Sequence, residues 1–399
     1  MTDATELRVL AHRDAVPVIA RELSRRRLLT LAALGGATAL LAACAPGGGN
    51  GTGAGAQPSA QATGGELESA LSVYTWGDYD APEVVSSFTG TLGPKVSLDS
   101  YSSNEELIAK LVAAKGTSGY DIVVPTGVFI PQMIENGLLT KLNKDLIPNL
   151  VNMDPSSIGR AWDPNNDYSI CKAWGTTGFV YDKTVITREL QTWGDFFDAA
   201  QNEASGKTSM SDDPAGIIGS YFWANDMDWN TTDPDELEAC RAFLVEKIAP
   251  HISAFDSYPG TNAIPQGTHV LMQAWNGDAR LGLLETSEPE RWQWVLPGPI
   301  TELWMDNWAI AAGAPHPEAA HAFINHSLTP EALSLNLDYI GYNVGGKDME
   351  KAAADAGMEL SDLIFFSEEQ LASMREQELN DSQTVRVEIW NEMKAAAGA

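Results

Sequence analysis

Cysteine and histidine are scarce in this chain, with three Cys and six His in 399 residues. Cys44, Cys171 and Cys240 form no disulfide framework. Cys240 lies between Leu237 and Leu244 at helical spacing, as a buried structural thiol would, and Cys171 is a partner with which it could pair. His316, His321 and His326 recur at five-residue steps, about 140° apart on a helix, so they share no face for a metal. A solvated helix or a local turn is their expected setting. There is no Gly-x-Ser-x-Gly, no His-Glu-x-x-His and no dinucleotide fingerprint, which leaves hydrolase and nucleotide chemistry without an anchor. Base is scarce too: 25 Lys and Arg stand against 54 Asp and Glu, a net charge of −29. With no basic stripe to neutralise phosphates, nucleic acid is excluded as a partner. The acid excess attracts cations or serves solubility.

The apolar fraction of 44% and the charged fraction of 20% describe a chain that folds around real cores. Its length favours two lobes. Ser24-Arg25-Arg26-Arg27-Leu28-Leu29 places paired arginines before an apolar run that ends at Ala43. That run is shorter than the roughly twenty residues of a stable membrane span, and Gly residues break it, as in a signal segment. The arginines resemble a Tat export signal. Leu41-Ala42-Ala43-Cys44 is similar to the lipobox of bacterial lipoproteins, in which the cysteine becomes the acylated amino terminus. A Gly/Ala/Ser-rich stretch follows, with no Gly-Lys-Ser/Thr ending and thus no phosphate loop. Residues 1–43 are therefore expected as a Tat-type lipoprotein signal and 44–69 as a lipidated cysteine with its flexible tether.

Beyond the tether, Leu71-Ser72-Val73-Tyr74-Thr75-Trp76 alternates like a strand. Pro82 opens a helix, and Ser103-Asn104-Glu105-Glu106 fits a capping box before Leu107, Ile108, Leu111 and Val112. Tyr120-Asp121-Ile122-Val123-Val124-Pro125 reads as a short buried strand, while Asp233-Pro234 and Thr329-Pro330 open further helices. Strands alternating with capped helices indicate α/β layers. No polar linker divides the body, so the chain should cross between its lobes more than once, with a ligand cleft between them.

Aromatic and acidic residues recur together in Trp76-Gly77-Asp78-Tyr79, Trp275-Asn276-Gly277-Asp278 and Trp304-Met305-Asp306, which the sequence suggests are short loops. A polyamine consists of ammonium groups on methylene stems. Each buried ammonium requires a carboxylate, and each stem an apolar wall, which indole supplies together with cation–π attraction of roughly 0.5–2 kcal/mol. A neutral sugar, or a carbohydrate-active enzyme working through two carboxylates, would also use Trp and Asp, although no acid/base pair is singled out.

From about Leu71 to Tyr342 the chain resembles the spermidine/putrescine-binding proteins of bacterial ABC importers. The matching stretches are Tyr74-Thr75-Trp76-Gly77-Asp78-Tyr79, Ser103-Asn104-Glu105, Tyr120–Pro125, Asp163-Pro164-Asn165-Asn166-Asp167-Tyr168-Ser169-Ile170, Trp174-Gly175-Thr176-Thr177, Trp304-Met305-Asp306 and Gly341-Tyr342. The resemblance implies a two-lobed α/β periplasmic-binding-protein fold of type II, with crossovers near Thr177 and Trp304. Lobe 1 would hold residues 70–177 and 305–342, and lobe 2 residues 178–304 and 343–399. It further implies ligand contacts from Trp76, Asp78, Tyr79, Thr126, Asp213, Ser257, Trp275, Asp278, Trp304, Asp306 and Tyr342. A tyrosine often found two residues after Thr126 is Val128 here, and an acid often found three after Asp213 is Gly216. Asp278 matches the putrescine-preferring branch. The function implied is capture of a polyamine outside the cytoplasm by a monomeric, lipid-anchored protein that docks on an ABC permease and needs no cofactor. A receptor for another small solute such as a sugar is the alternative, and a secreted carbohydrate-active enzyme a more distant one.

Overall fold

The computed structural model of the chain describes residues 62–398. The paired arginines, the apolar run, Cys44 and the tether up to residue 61 lie outside the described residues. Among the described residues, eleven strands form one continuous sheet: β1 (Ala70–Trp76), β2 (Lys95–Tyr101), β3 (Ile122–Val123), β4 (Leu139–Thr140), β5 (Ser169–Asp182), β6 (Thr208–Met210), β7 (Ile252–Phe255), β8 (Leu271–Trp275), β9 (Trp292–Val295), β10 (Thr301–Ala311) and β11 (Met374–Arg375). The main path runs β2-β1-β3-β10-β5-β8-β6-β7. At each end the strands pair in parallel, and the long antiparallel pair of β5 and β10 lies between.

Two principal cores flank that pair. One contains Leu71, Phe88, Ile170, Trp308 and Phe323, and the other Phe179, Trp193, Phe196, Trp223 and Leu271. Each fully buried side chain of this size contributes roughly 1.5–3 kcal/mol relative to exposure. β5 places Ile170, Cys171 and Ala173 in the first core but Phe179 and Tyr181 in the second. The chain thus passes between units inside one strand. β10 returns it, with Met305, Trp308 and Ile310 in the first core.

Local sequence explains most helix starts. Pro82 lies in the first turn of helix Pro82–Leu92, while Asp233 and Thr329 cap helices Pro234–Arg241 and Pro330–Ile340 through their side chains. Before helix Asn104–Ala114, the Ser103 hydroxyl accepts from Glu106 N–H at 3.2 Å. The reciprocal arm of the expected box is displaced by one residue, because the Glu106 carboxylate accepts from Ser102 N–H at 3.0 Å. Of the stretch 120–125, Ile122–Val123 alone pairs as a strand.

Several expectations are corrected. The last residues assigned to the tether are held against the body: Thr63 and Gly64 N–H donate to Glu318 at 2.7 and 3.1 Å, and Glu68 accepts from Ala319 N–H at 2.8 Å. Val344, Met349, Ala353 and Ile364, expected in the second lobe, pack in the first core because helix Met349–Ala356 lies on helix Pro330–Ile340. From there a third passage follows, in which β11 pairs with the start of β10 and Arg160 is paired with Glu376. Asn230 bonds to the same segment at Glu376, Glu378 and Asn380. Helix Gln383–Ala397 then brings Ile389, Trp390 and Met393 into the second core. Among the described residues Cys171 and Cys240 are free thiols in different cores, each with its pKa pushed up by burial. His321 is buried rather than solvated, with Nε2 accepting from Asn143 N–H at 2.9 Å and Nδ1 2.7 Å from the Pro317 carbonyl.

Candidate functional site

Where β5 and β10 cross between the cores there is a cavity of about 410 Å³. Ten of the eleven residues expected to contact a ligand line it: Trp76, Asp78, Tyr79, Thr126, Asp213, Trp275, Asp278, Trp304, Asp306 and Tyr342. Ser257 does not. Its hydroxyl accepts from Asp212 N–H at 2.9 Å and so steadies the neighbouring turn, while Tyr258 takes the place in the wall. Val128 is likewise absent from the lining, where Phe129 stands.

Trp304 and Asp306 lie within β10 rather than in a loop. Strand alternation turns Glu302, Trp304 and Asp306 to one face, and all three line the cavity. Directly after Asp306 the register with β5 shifts at a bulge. Asp306 is 7% exposed. Thr126 Oγ1 donates to its Oδ1 at 2.7 Å and the Tyr79 hydroxyl to its Oδ2 at 3.1 Å. Asn104 holds Thr126 in turn, accepting from its N–H and donating to its Oγ1, both at 2.9 Å. Burial pushes Asp306 up to about 7, opposed by the two hydroxyls and by the charge of Lys172.

The aromatic walls require small residues opposite them. A β-carbon at Gly175 would come within 2.6 Å of the Trp304 ring, and one at Gly277 within 2.5 Å of Tyr342. Trp304 packs edge-on to Tyr342 with centroids 4.9 Å apart and stands 6.4 Å from Trp275. Trp76, at the end of β1, is fixed by Nε1–H donation to the Val124 carbonyl at 3.1 Å.

Asp278 also differs from the loop expected, since it occupies the first turn of helix Asn276–Glu285 after β8. Its carboxylate accepts from Gly260 N–H at 2.7 Å, and burial pushes it up to about 7. The Tyr342 hydroxyl accepts from Asp278 N–H at 3.2 Å. Asp213 caps helix Pro214–Ala224 by accepting from Gly216 N–H at 2.8 Å, so an amide stands where an acid was lost. Loss of water raises Asp213 as well, against the pull of those amide bonds.

Sequence reasoning missed Glu105, Asp256, Tyr258, Glu302, Gln377 and Gln383, which also line the cavity. Glu302 is 6% exposed, with the Thr177 hydroxyl donating to it at 2.6 Å. Burial, and then the charge of Asp213, push it up to about 8. A signal for Glu302 existed: it precedes Trp304 by two, the strand repeat. Gln377 and Gln383 arrive on the third passage and carry no local signal. In all, seven carboxylates and no Lys, Arg or His line the cavity among the described residues. No group of three or more His, Cys, Asp or Glu is placed to hold a metal ion among the described residues.

Two α/β units joined through shared strands, with a polar and aromatic cavity at the crossing, define a solute-binding protein. Residues 83–357 match the family of bacterial extracellular solute-binding proteins, and the chain belongs to that family. It is 33% identical over 273 residues to the spermidine/putrescine-binding periplasmic protein of Escherichia coli, covering 68% of this chain and 76% of that one. To the putrescine/agmatine-binding protein of Pseudomonas aeruginosa it is 25% identical over 345 residues, 83% of this chain and 93% of the other. The crystal structure of the TpPotD lipoprotein of Treponema pallidum superposes with a TM-score of 0.71 at 26% identity, covering 81% and 99% of the two chains. The fold is the periplasmic-binding-protein fold expected from the sequence.

Proposed function

We propose that this protein captures a polyamine of the putrescine/spermidine class outside the cytoplasm and delivers it to the permease of an ABC importer. The observation that carries the reading is the cavity lined by seven carboxylates and seven aromatic rings with no basic side chain among the described residues. Carboxylates kept from water are costly unless a cation meets them. A chain of ammonium groups on apolar stems satisfies the acids and covers the indoles at once. A neutral sugar would leave Asp278, Glu302 and Asp306 uncompensated. The ligands named for the Escherichia coli and Pseudomonas aeruginosa relatives support the same class. The ligand contacts are Trp76, Asp78, Asp213, Trp275, Asp278, Trp304, Asp306 and Tyr342, with Tyr79 and Thr126 orienting Asp306. Contacts from both units favour closure about the crossing strands.

The protein acts as a monomer held by a diacylglyceryl Cys44 on the outer face of the cytoplasmic membrane, after export through the Tat route. The solved relative that is itself a lipoprotein supports the anchor. Thermal-shift and calorimetric titration with putrescine, spermidine, agmatine and neutral sugars test the ligand class: amines should stabilise and sugars should not, and the reverse order overturns the reading. Mass spectrometry of the mature amino terminus tests the anchor. Acylation at Cys44, abolished in Cys44→Ser, is expected, and a native Cys44 without lipid contradicts it. Export that persists when Arg25 and Arg26 are both changed to Lys would rule out the Tat route.

A further inference from the structure

Glu302, Trp304 and Asp306 stand on one face of β10 in the order acid, indole, acid, and all three reach the cavity. The two acids stand four positions apart on the strand, roughly 13 Å at about 3.3 Å per residue. Both are more than nine-tenths buried. Asp306 already receives two hydroxyl hydrogens, whereas among the described residues the Thr177 hydroxyl is the one donor to Glu302. The cation opposite it on the sheet does not neutralise Glu302. Arg375 pairs with it through the backbone, but its guanidinium turns away to the carbonyls of Ala372 and Met374 at 2.6 and 2.9 Å. Asp213, at the start of helix Pro214–Ala224, lines the same cavity as Glu302, so acids from two different elements face it.

We infer that Glu302 is a ligand-contacting carboxylate that holds a second ammonium group, so that β10 measures the length of the amine against Trp304. The inference rests on the polyamine reading of the same cavity. Three backbone bonds extend about 3.5 Å. By the same rule the five bonds between the nitrogens of a four-carbon diamine extend roughly 6 Å, and the nine between the outer nitrogens of spermidine roughly 11 Å. The shorter molecule reaches one of the two acids. The longer one places an ammonium beside each, with its stem along the indole.

Calorimetry on the full mature protein tests this with spermidine and with α,ω-diamines of about three to about ten carbons, on the parent and on Glu302→Gln. The parent's affinity should rise with length to a maximum near eight carbons. The near-isosteric Glu302→Gln should weaken spermidine and the eight-carbon diamine on the order of tenfold or more, and putrescine less than about threefold. Equal loss at every length, or none, overturns the role of Glu302 and leaves the amine site intact. If Glu302→Gln does not fold, the length series on the parent decides alone, and a maximum at four carbons overturns the inference. A parent that binds no amine of any length overturns both the inference and the proposed function.

Discussion

Asp80 and Asp306 are both buried, on neighbouring segments of one lobe, yet they are served differently. Asp80 meets Lys172 Nζ at 2.7 Å, and that ammonium also lies 4.0 Å from the Trp308 ring centroid and 4.9 Å from that of Tyr79. Burial lowers the pKa of Lys172, and Asp80 is the first influence that opposes it. Tyr79 then turns its hydroxyl to Asp306, where, among the described residues, two hydroxyls and no ammonium make the contacts. The chain therefore shows how it boxes an ammonium, with one carboxylate and two aromatic faces, and offers the same parts at the cavity without the cation. In the first place the charge is supplied by the fold. In the second it must come from outside.

This contrast can be broken from the side of Lys172. Lys172→Met strands Asp80, whose Oδ2 already lacks a partner among the described residues, and should lower stability by about 3–5 kcal/mol in urea unfolding. Adding Asp80→Leu should recover much of that loss, because an apolar pair of similar volume removes the stranded charge. At the cavity the same logic changes sign. Asp306→Asn should cost about 2–5 kcal/mol of polyamine affinity by calorimetry, while the melting temperature of the empty protein should hold or rise. Trp304→Ala comes next, with about 0.5–2 kcal/mol of affinity lost through the cation–π wall. If its effect fell on melting temperature with affinity intact, Trp304 would belong to the core instead.

The acids also set a pH dependence of the empty protein. Burial raises Asp278 and Asp306 to about 7 and Glu302 to about 8, all above their unfolded values. Between the unfolded and folded pKa values the native state holds more protons, so stability should fall as pH rises from about 4 toward about 8. Chemical denaturation with and without spermidine across this range would show the fall and its reversal by ligand.

The sequence made these cavity residues readable to different depths. The pairing of Trp with Asp marked Trp304–Asp306 and Trp275–Asp278, because an indole and an acid so close together are unusual side by side in a core. Their setting was not readable. Taking Trp304-Met305-Asp306 as a loop hid the strand repeat, and Glu302 was lost with it. Ser257 was a resemblance-based expectation, and a turn of one residue puts Tyr258 in the wall in its place. The third passage is held by contacts between residues far apart in sequence, such as Arg160 with Glu376 and Asn230 with Asn380, which no local pattern encodes. Packing of 344–364 in the first core is equally a long-range matter, decided by helix Pro330–Ile340 against helix Met349–Ala356.

The central claim is that the cavity holds carboxylates waiting for a cation, and proton release on binding tests it most directly. Near pH 7 the empty cavity keeps a share of its acids protonated, and an arriving ammonium, itself charged below about 10, favours their ionised form. Spermidine titrated by calorimetry in buffers of different ionisation enthalpy should release protons, with affinity rising from about pH 6 to about pH 8. Binding without proton exchange and with affinity flat across that range would contradict the account.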